Sequence, residues 1–286
     1  MQETFYVEKL HELLLNALKK EIENTSKEKI ALAFSGGVDS AILAKLLKEL
    51  KTKTENYVVG IENCKDFASA EKAAEELKIN LHKILLTKKE IEEGLKMQIK
   101  ILKNLYEKNK EKIKPETPES KLNPVSVSSN LPLFFVEKYA KEKFIVSGMG
   151  ADTILGGFVK YLKLSEKEYE KEIKKGTFAL VNFGYLEEEK TAESLGKRVI
   201  MPFLDKEVVA FCLTLPHKLK INKKERKYIL RKLALKIGLS EETAFREKKS
   251  AQYGSGLMKI MKTIAKDNRE NIGRYISRTA GYKPSF

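Results

Sequence analysis

Short apolar runs alternate with amphipathic segments through the first half of the chain. Short apolar runs are typical of strands buried on both faces, and apolar residues spaced three or four apart are typical of helices. The runs predict strands over 29–34, 57–61, 80–86 and 144–146. The spaced patterns predict helices over 3–23, 39–50, 66–77, 88–113 and 131–141. This alternation predicts an α/β fold in which a parallel sheet carries helices on both faces.

The chain after about residue 160 has no pattern that predicts a strand, and we expect it to be mainly helical. We expect residues 1–160 to form the α/β core and residues 161–286 to pack on that core within one integrated domain. Proline and polar residues predict a loop over Lys112–Asn123, between the fourth and fifth predicted helices.

One predicted helix of the C-terminal portion, over 223–236, is rich in basic residues. They are Arg226, Lys227, Arg231 and Lys232. Charged residues in such number usually form the solvated face of a helix, so we expect these side chains to be exposed. Contact with phosphate or RNA is the alternative.

The composition indicates a soluble globular protein with excess positive charge. The net charge is +15, and no apolar run approaches the ~20 residues that a membrane span needs. This charge suits an anionic partner such as ATP or RNA, although Lys- and Glu-rich surfaces are equally typical of proteins from hot environments. Cys64 and Cys212 form no metal-binding or disulfide pattern, so we expect a cytoplasmic protein.

A glycine loop, Ser35–Ser40, lies between the first predicted strand and the helix that follows it. Glycines allow a tight turn, and the free N–H groups of the helix N-terminus can then face an anion such as phosphate. The hydroxyls of Ser35 and Ser40 add hydrogen-bond donors. Asp39 would repel a phosphate unless a cation bridged them, and magnesium binds a few carboxylates together with phosphate oxygens. The loop therefore predicts a phosphate site with Mg²⁺.

A second loop of glycines and an acid, Ser147–Asp152, follows the strand predicted over 144–146. Because parallel strands end at the same edge of a sheet, Asp39 and Asp152 could meet at adjacent strand ends and share one metal ion. A glycine turn of this kind is also compatible with a plain structural role.

The order of the motifs resembles that of one enzyme family. The first loop resembles the SGGxDS loop of the ATP pyrophosphatase (PP-loop) superfamily, and the pair of loops resembles the synthetase domain of asparagine synthetases and β-lactam synthetases. Met201–Asp205 is similar to that family's PFLD segment, and Arg246–Lys249 with Gly254–Gly256 is similar to its late basic and glycine segment. The resemblance covers residues 28–262 and implies an adenine nucleotide α-hydrolase-like fold.

The resemblance also implies roles for residues at matching positions. It implies that AMP and pyrophosphate contact Ala33, Ser35, Gly36, Gly37, Ser40, Ile61 and Gly148. It implies that Asp39 and Asp152 bind magnesium, and that Lys248 neutralises charge on the pyrophosphate or the transition state. A cation aimed at developing charge is a large catalytic effect. Asp205 has a competing structural role as the cap of the following helix, and we prefer that interpretation.

Two departures from the family bear on the reaction. Gln2 stands where glutamine-dependent members have the cysteine of their glutaminase domain, so we expect this chain to use free ammonia, a separate glutaminase subunit or another nucleophile. Met149 stands where those synthetases have glutamate or tyrosine. A thioether cannot transfer a proton at neutral pH, so the second half-reaction and the product stay open.

These observations favour an AMP-forming ligase that uses ATP and Mg²⁺ to adenylate a small-molecule carboxylate. A PP-loop enzyme that adenylates a base oxygen of tRNA is the first alternative, which the net charge of +15 favours mildly. A non-catalytic nucleotide-binding protein is the second alternative, because Met149 lacks the family's functional group.

Overall fold

Five parallel strands form the central sheet of the computed structural model, which describes residues 2–108, 122, 124–223, 225–247 and 250–282. The strands are β1 (Ile30–Ala33), β2 (Thr54–Gly60), β3 (His82–Leu85), β4 (Phe144–Val146) and β5 (Arg198–Ile200). Their order across the sheet is β3-β2-β1-β4-β5, and every neighbouring pair is parallel. The register aligns Ile30 with both Thr54 and Phe144. The predicted α/β fold with a parallel sheet is confirmed.

Helices make up most of the remaining described chain. They are α1 (Gln2–Glu23), α2 (Val38–Glu49), α3 (Lys65–Leu77), α4 (Lys88–Lys108), α5 (Pro124–Tyr139), α6 (Ala151–Ile154), α7 (Glu166–Ala179), α8 (Tyr185–Ser194), α9 (Lys206–Thr214), α10 (His217–Lys220), α11 (Tyr228–Lys236), α12 (Glu241–Phe245), α13 (Ala251–Gly254), α14 (Leu257–Asp267) and α15 (Ile272–Thr279). Within the described ranges, no helix combines the length and apolar character that a membrane crossing needs. The end of the helix predicted over 88–113 and nearly all of the predicted loop at 112–123 lie outside the described residues.

Alternate residues of the strands enter two separate cores, one on each face of the sheet. Leu32 and Val146 belong to the first core, which also holds apolar residues of α1, α2, α3, α9 and α11. Ala31 and Ile145 belong to the second core, with apolar residues of α4, α5, α14 and α15. Because neighbouring residues of a strand point to opposite faces, both faces of this sheet need helices to cover them.

Three short strands after residue 160 were not predicted from the sequence. β5 extends the main sheet beside β4, and a small antiparallel hairpin pairs β6 (Ile221–Asn222) with β7 (Glu225–Arg226). The expectation of a strand-free C-terminal portion is therefore wrong, although that portion is mainly helical as predicted. The missed strands contain polar residues, Arg198 in β5 and Asn222, Glu225 and Arg226 in the hairpin, so they lack the apolar run that revealed the equally short β4.

Three glutamate side chains are buried where α4, α5 and α8 meet. Glu137 is fully buried, and neither of its carboxyl oxygens has a hydrogen-bond partner within the described part of the chain. Glu187 accepts hydrogen bonds from Tyr106 and from Ser126, the latter at 2.7 Å. Burial raises the pKa of Glu137 to about 8, and burial together with repulsion from Glu137 raises the pKa of Glu188. The fold therefore favours Glu137 as a neutral acid.

The Glu137 carboxyl should make stability fall as the pH rises. In the unfolded chain this group has an ordinary pKa near ~4.3, so between about pH 4 and pH 8 the folded state holds a proton that the unfolded state has lost. The free energy of unfolding should decrease across that window. The Glu137→Met variant lacks this carboxyl. Its free energy of unfolding, relative to that of the wild type, should rise by about 2 kcal/mol or more between pH 5 and pH 8.5. Urea unfolding at both pH values measures this difference.

Glu193→Met is the matched control, because Glu193 lies exposed on α8 and forms an ion pair with Lys190 at 2.6 Å. This variant should follow the pH profile of the wild type. A Glu137→Met profile parallel to that of the wild type would show that the buried carboxyl does not link folding to protonation.

Candidate active site

The order of the strands places both predicted loops at one crevice. From β1 the sheet continues through β2 to β3 in one direction and through β4 to β5 in the other, so the connections diverge between β1 and β4. At such a switch point a crevice opens at the carboxyl ends of the strands, where α/β proteins bind ligands. The loop Ser35–Ser40 follows β1 and the loop Ser147–Asp152 follows β4. The fold thus brings together the two loops that the sequence predicted to cooperate.

The loop after β1 has the geometry of an anion site. Gly36 has φ +65°, and a Cβ there would lie 2.4 Å from the carbonyl oxygen of Ser69, so only glycine fits. Gly37 occupies the N-cap of α2, whose first turn receives no side-chain cap. The hydroxyl of Ser40 donates to the carbonyl of Gly37 at 3.0 Å. The N-terminal turn of α2 therefore presents backbone N–H groups that an anion can accept from.

The two loops approach each other closely at Asp39. A Cβ at Gly148 would lie 3.2 Å from the Cβ of Asp39, so a side chain at 148 would crowd Asp39. Asp39 is 4% exposed, whereas the side chain of Asp152 is 40% exposed at the mouth of the crevice. One carboxylate of the pair is thus buried and the other is accessible from solvent.

Lys227 bridges the two carboxylates. Its Nζ donates to Oδ1 and Oδ2 of Asp39 at 2.8 and 2.9 Å, and it lies 2.9 Å from Oδ1 of Asp152. Burial alone would lower the pKa of Lys227, but the charges of Asp152 and Asp39 outweigh burial and hold this pKa above its ordinary value. The centre of the crevice is therefore a cation held between two carboxylates.

The expectation that the basic residues near 223–236 form a solvated face is wrong for two of them. Lys227 and Arg231 are each 5% exposed. Nε of Arg231 donates to the carbonyl of Arg226 at 2.7 Å, and Nη1 of Arg231 donates to that of Ala244 at 2.7 Å. The physical reason is that α11 begins only at Tyr228, after the hairpin of β6 and β7, and the hairpin carries Lys227 into the crevice.

The sequence contained one signal for this burial. Lys227 precedes Leu230, Arg231 and Ala234 at helical spacings of three, four and seven residues, and all three are buried on α11. Residues at these spacings share one face of a helix. A lysine at the start of a buried stripe can be a paired internal charge, which the count of neighbouring basic residues obscured.

Ala33 and Ile61, two residues expected to contact the nucleotide through their backbone, lie at the ends of β1 and β2. The N–H of Ile61 donates to the carbonyl of Ser255 at 3.0 Å, and the carbonyl of Ile61 accepts from Cys64 at 3.2 Å. The backbone of Ile61 is thus engaged within the chain, and its contact with AMP stays a prediction.

Lys248, the expected catalytic lysine, lies outside the described residues. The described residues on either side of it reach the strand ends. Nη2 of Arg246 lies 3.4 Å from the carbonyl oxygen of Ser35, and a Cβ at Gly254 would lie 2.2 Å from the carboxylate of Asp66. The role of Lys248 remains a prediction.

Asp205 has the structural role that the sequence analysis preferred. Its carboxylate accepts a hydrogen bond from the N–H of Glu207 at 2.9 Å and caps α9. Met149, at the position where the resembled synthetases have glutamate or tyrosine, packs with Leu180 in a small apolar cluster that also contains Met201 and Leu204. The wall of the crevice at Met149 is therefore apolar.

A family model described as Asparagine synthase matches residues 9–199 and 180–281 of the chain. A protein of Methanocaldococcus jannaschii named "Putative asparagine synthetase [glutamine-hydrolyzing] 1" is 29% identical over 93% of this chain and 53% of its own length. The asparagine synthetase [glutamine-hydrolyzing] of Gallus gallus is 28% identical over 77% of this chain and 38% of its own length. The chain thus spans about half or less of the length of these relatives.

Among solved structures, the NMN synthetase from Francisella tularensis aligns with a TM-score of 0.41 and 14% identity, over 100% of this chain and 89% of that one. The family model covers both loops of the crevice, the hairpin that carries Lys227 and the segment around Lys248. The crevice between β1 and β4 accordingly lies within matched sequence, and the chain belongs to the asparagine synthase family.

Proposed function

We propose that this protein is an ATP-dependent, AMP-forming ligase that adenylates a carboxylate and transfers the acyl group to ammonia or another nucleophile. The observation that carries the proposal is the convergence of Asp39 and Asp152 on one cation beside the uncapped N-terminus of α2. A cation between carboxylates next to the N–H groups of a helix N-terminus suits a polyphosphate, because the N–H groups can bind its oxygens and the cation offsets its charge.

Magnesium fits this pair of carboxylates. Their oxygens already converge on one cation at 2.8–2.9 Å, the ammonium of Lys227. The protein would supply only these two carboxylates, because the described residues contain no group of three or more His, Cys, Asp or Glu side chains that could hold a metal. Phosphate oxygens and water would have to complete the coordination. Two carboxylates with phosphate oxygens and water are a typical magnesium environment. When bound, magnesium would neutralise charge on the phosphates and on the departing pyrophosphate.

The protein's own groups would act mainly by positioning. In the first step an oxygen of the acceptor carboxylate attacks the α-phosphorus of ATP, the bond to the β-phosphate breaks, and pyrophosphate leaves. We propose that the N–H groups around Gly36 and Gly37, with the hydroxyls of Ser35 and Ser40, bind the phosphates that become pyrophosphate. We propose that Lys248 offsets the charge on this leaving group. In the second step a nucleophile attacks the acyl carbon and AMP leaves.

The apolar side chain of Met149 limits which nucleophiles can react in the second step. A thioether neither donates nor accepts a proton at neutral pH, and Met149 packs with Leu180. A nucleophile that arrives uncharged, such as ammonia or a neutral amine, needs no base at this position to begin its attack. The names of the relatives make aspartate the first carboxylate to test as the acceptor.

We propose that the nitrogen, if ammonia is the nucleophile, comes from free ammonia or from a separate glutaminase. The relatives are named as glutamine-hydrolysing. The two cysteines of this chain are both buried, Cys212 completely, and burial raises the pKa of each thiol. Neither thiol therefore has the accessible, low-pKa environment of a cysteine nucleophile.

The nucleotide products test the proposal. Purified protein incubated with ATP, Mg²⁺, ammonium and a panel of small carboxylates that includes aspartate should form AMP and pyrophosphate in equal amounts. This follows because the loop at Ser35–Ser40 is expected to hold the β- and γ-phosphates as one leaving unit. Chromatography of the nucleotides measures the ratio of AMP to ADP.

A parallel incubation with bulk tRNA in place of the carboxylates separates this function from its main alternative. AMP that appears with a carboxylate supports the proposal, and AMP that appears only with tRNA supports the RNA-modifying enzyme. ADP as the dominant product would contradict both.

The nitrogen source gives a second prediction. The assay uses the carboxylate substrate that the first experiment identifies. Ammonium chloride should then support formation of AMP and of the amide product. Glutamine in ammonia-free buffer should support less than about 1% of that rate, because both thiols are buried. Glutamate release and incorporation of ¹⁵N from amide-labelled glutamine measure the reaction. Addition of a purified glutaminase should restore turnover with glutamine. Incorporation of the labelled amide by the chain alone would overturn the expected need for a separate source.

A further inference from the structure

The hairpin of β6 and β7 holds the backbone of Lys227 in a fixed place. Lys227 itself has φ +56° and ψ +39°, a left-handed conformation that ends the hairpin and starts α11. Nη1 of Arg226 donates to the carbonyl of Gly157 at 2.5 Å, and the N–H of Gly157 donates to the carbonyl of Asp152 at 2.7 Å, so the hairpin is tied to the segment that carries Asp152. The backbone at Lys227 is thus held by the hairpin, whereas the ammonium lies at the end of a flexible four-carbon stem.

The ammonium of Lys227 compensates charges that would otherwise repel each other. Asp39 is almost fully buried, and removing one partner of a buried ion pair is strongly destabilising because the other charge is left without compensation. Mutual repulsion would add to this cost if Asp39 and Asp152 converged without a cation. The two carboxylates therefore need a positive charge between them, whether it is an ammonium or a metal ion.

A metal ion and the ammonium cannot both occupy the same contacts. Nζ of Lys227 is within 2.9 Å of three carboxylate oxygens, and a magnesium ion would need to lie about 2.1 Å from oxygens of the same two groups. The two cations would repel each other strongly at such a separation. Binding of the metal to both carboxylates consequently requires the ammonium to leave at least one of them.

We propose that Lys227 is an exchangeable internal cation that holds the carboxylates of Asp39 and Asp152 in the metal-free site and competes with the divalent metal for them. This inference rests on the proposed function, in which those carboxylates bind magnesium. It assigns Lys227 as a positioning residue of the metal site. Free metal then binds weakly, because it must displace an ammonium that is already paired.

Competition with Lys227 also sets an order of binding. A metal ion that enters together with a polyphosphate brings negative oxygens to the crevice, and the displaced ammonium can pair with them. The displacement is then offset by new ion pairs. Metal and nucleotide should therefore bind as one complex in preference to metal first.

Mn²⁺ titration of the nucleotide-free protein tests the competition. Mn²⁺ replaces Mg²⁺ at oxygen sites and can be counted by electron paramagnetic resonance. The wild type should bind Mn²⁺ weakly. Lys227→Met, which keeps the length of the side chain and removes its charge, should bind one Mn²⁺ at least about tenfold more tightly, a difference of about 1.4 kcal/mol. A residue with a merely structural role would not improve metal binding when removed.

Two further variants serve as controls. Lys227→Arg retains the positive charge and should keep Mn²⁺ binding weak. Lys232→Met removes a charge from the same helix, where the ammonium lies over the ring of Tyr228 at 5.3 Å, and should leave the affinity of the wild type unchanged. Mn²⁺ affinity in Lys227→Met that equals or falls below that of the wild type would overturn the proposal.

The wild type alone also provides a decisive measurement, should Lys227→Met fail to fold. Nucleotide-free wild type that already binds one Mn²⁺ at micromolar concentration, with that binding lost in Asp39→Asn, would show that no internal cation competes. Millimolar binding that tightens when pyrophosphate is added supports the proposal. Because these titrations use no turnover, their outcome is independent of whether AMP and pyrophosphate prove to be the products.

Discussion

One buried ammonium between two carboxylates is the contact on which the candidate active site depends. Asp39 and Asp152 lie just after the neighbouring strands β1 and β4. Their charges repel each other unless a cation lies between them. Lys227 supplies this cation from a segment 188 residues after Asp39. In the metal-free protein the hairpin that carries Lys227 thus contributes the charge that lets the two loops lie close together. The candidate site is therefore built from both the α/β core and the C-terminal portion of the chain.

The chain accommodates its buried acids in two different ways. In the crevice, Asp39 is compensated by an ammonium that can be exchanged for a metal ion. Between α4, α5 and α8, Glu137 has no hydrogen-bond partner among the described residues, and burial raises its pKa to about 8. A proton thus removes the charge at Glu137, whereas a cation offsets it at Asp39. Only the pairing of Asp39 with a cation prepares a place for a charged ligand, and this pair lies at the switch point of the sheet.

Sequence patterns predicted most of the sheet and the two loops at which the candidate site lies. Strong apolar runs revealed the first four strands, and the glycine loops identified Asp39 and Asp152 because strand, turn and helix follow one another locally. β5 and the hairpin were missed because polar residues interrupt them, whereas β4, which also has only three residues, is wholly apolar. Lys227 was assigned to the surface because its partners lie far away in sequence and the basic residues around it obscured the buried stripe that it begins. The burial of Lys227 was decided by its tertiary pairing with Asp39 and Asp152, which local patterns do not contain.

The central claim is that Asp39 and Asp152 hold the metal ion through which a nucleotide binds. The most direct measurement is calorimetric titration of ATP into the wild type and Asp39→Asn, each with Mg²⁺ and again with EDTA. Magnesium should tighten ATP binding to the wild type by about 100-fold or more, since even residues that only orient metal ligands contribute 10–100-fold. In Asp39→Asn the affinity with magnesium should fall to the value measured in EDTA. An Asp39→Asn variant that keeps the full magnesium effect would contradict the account.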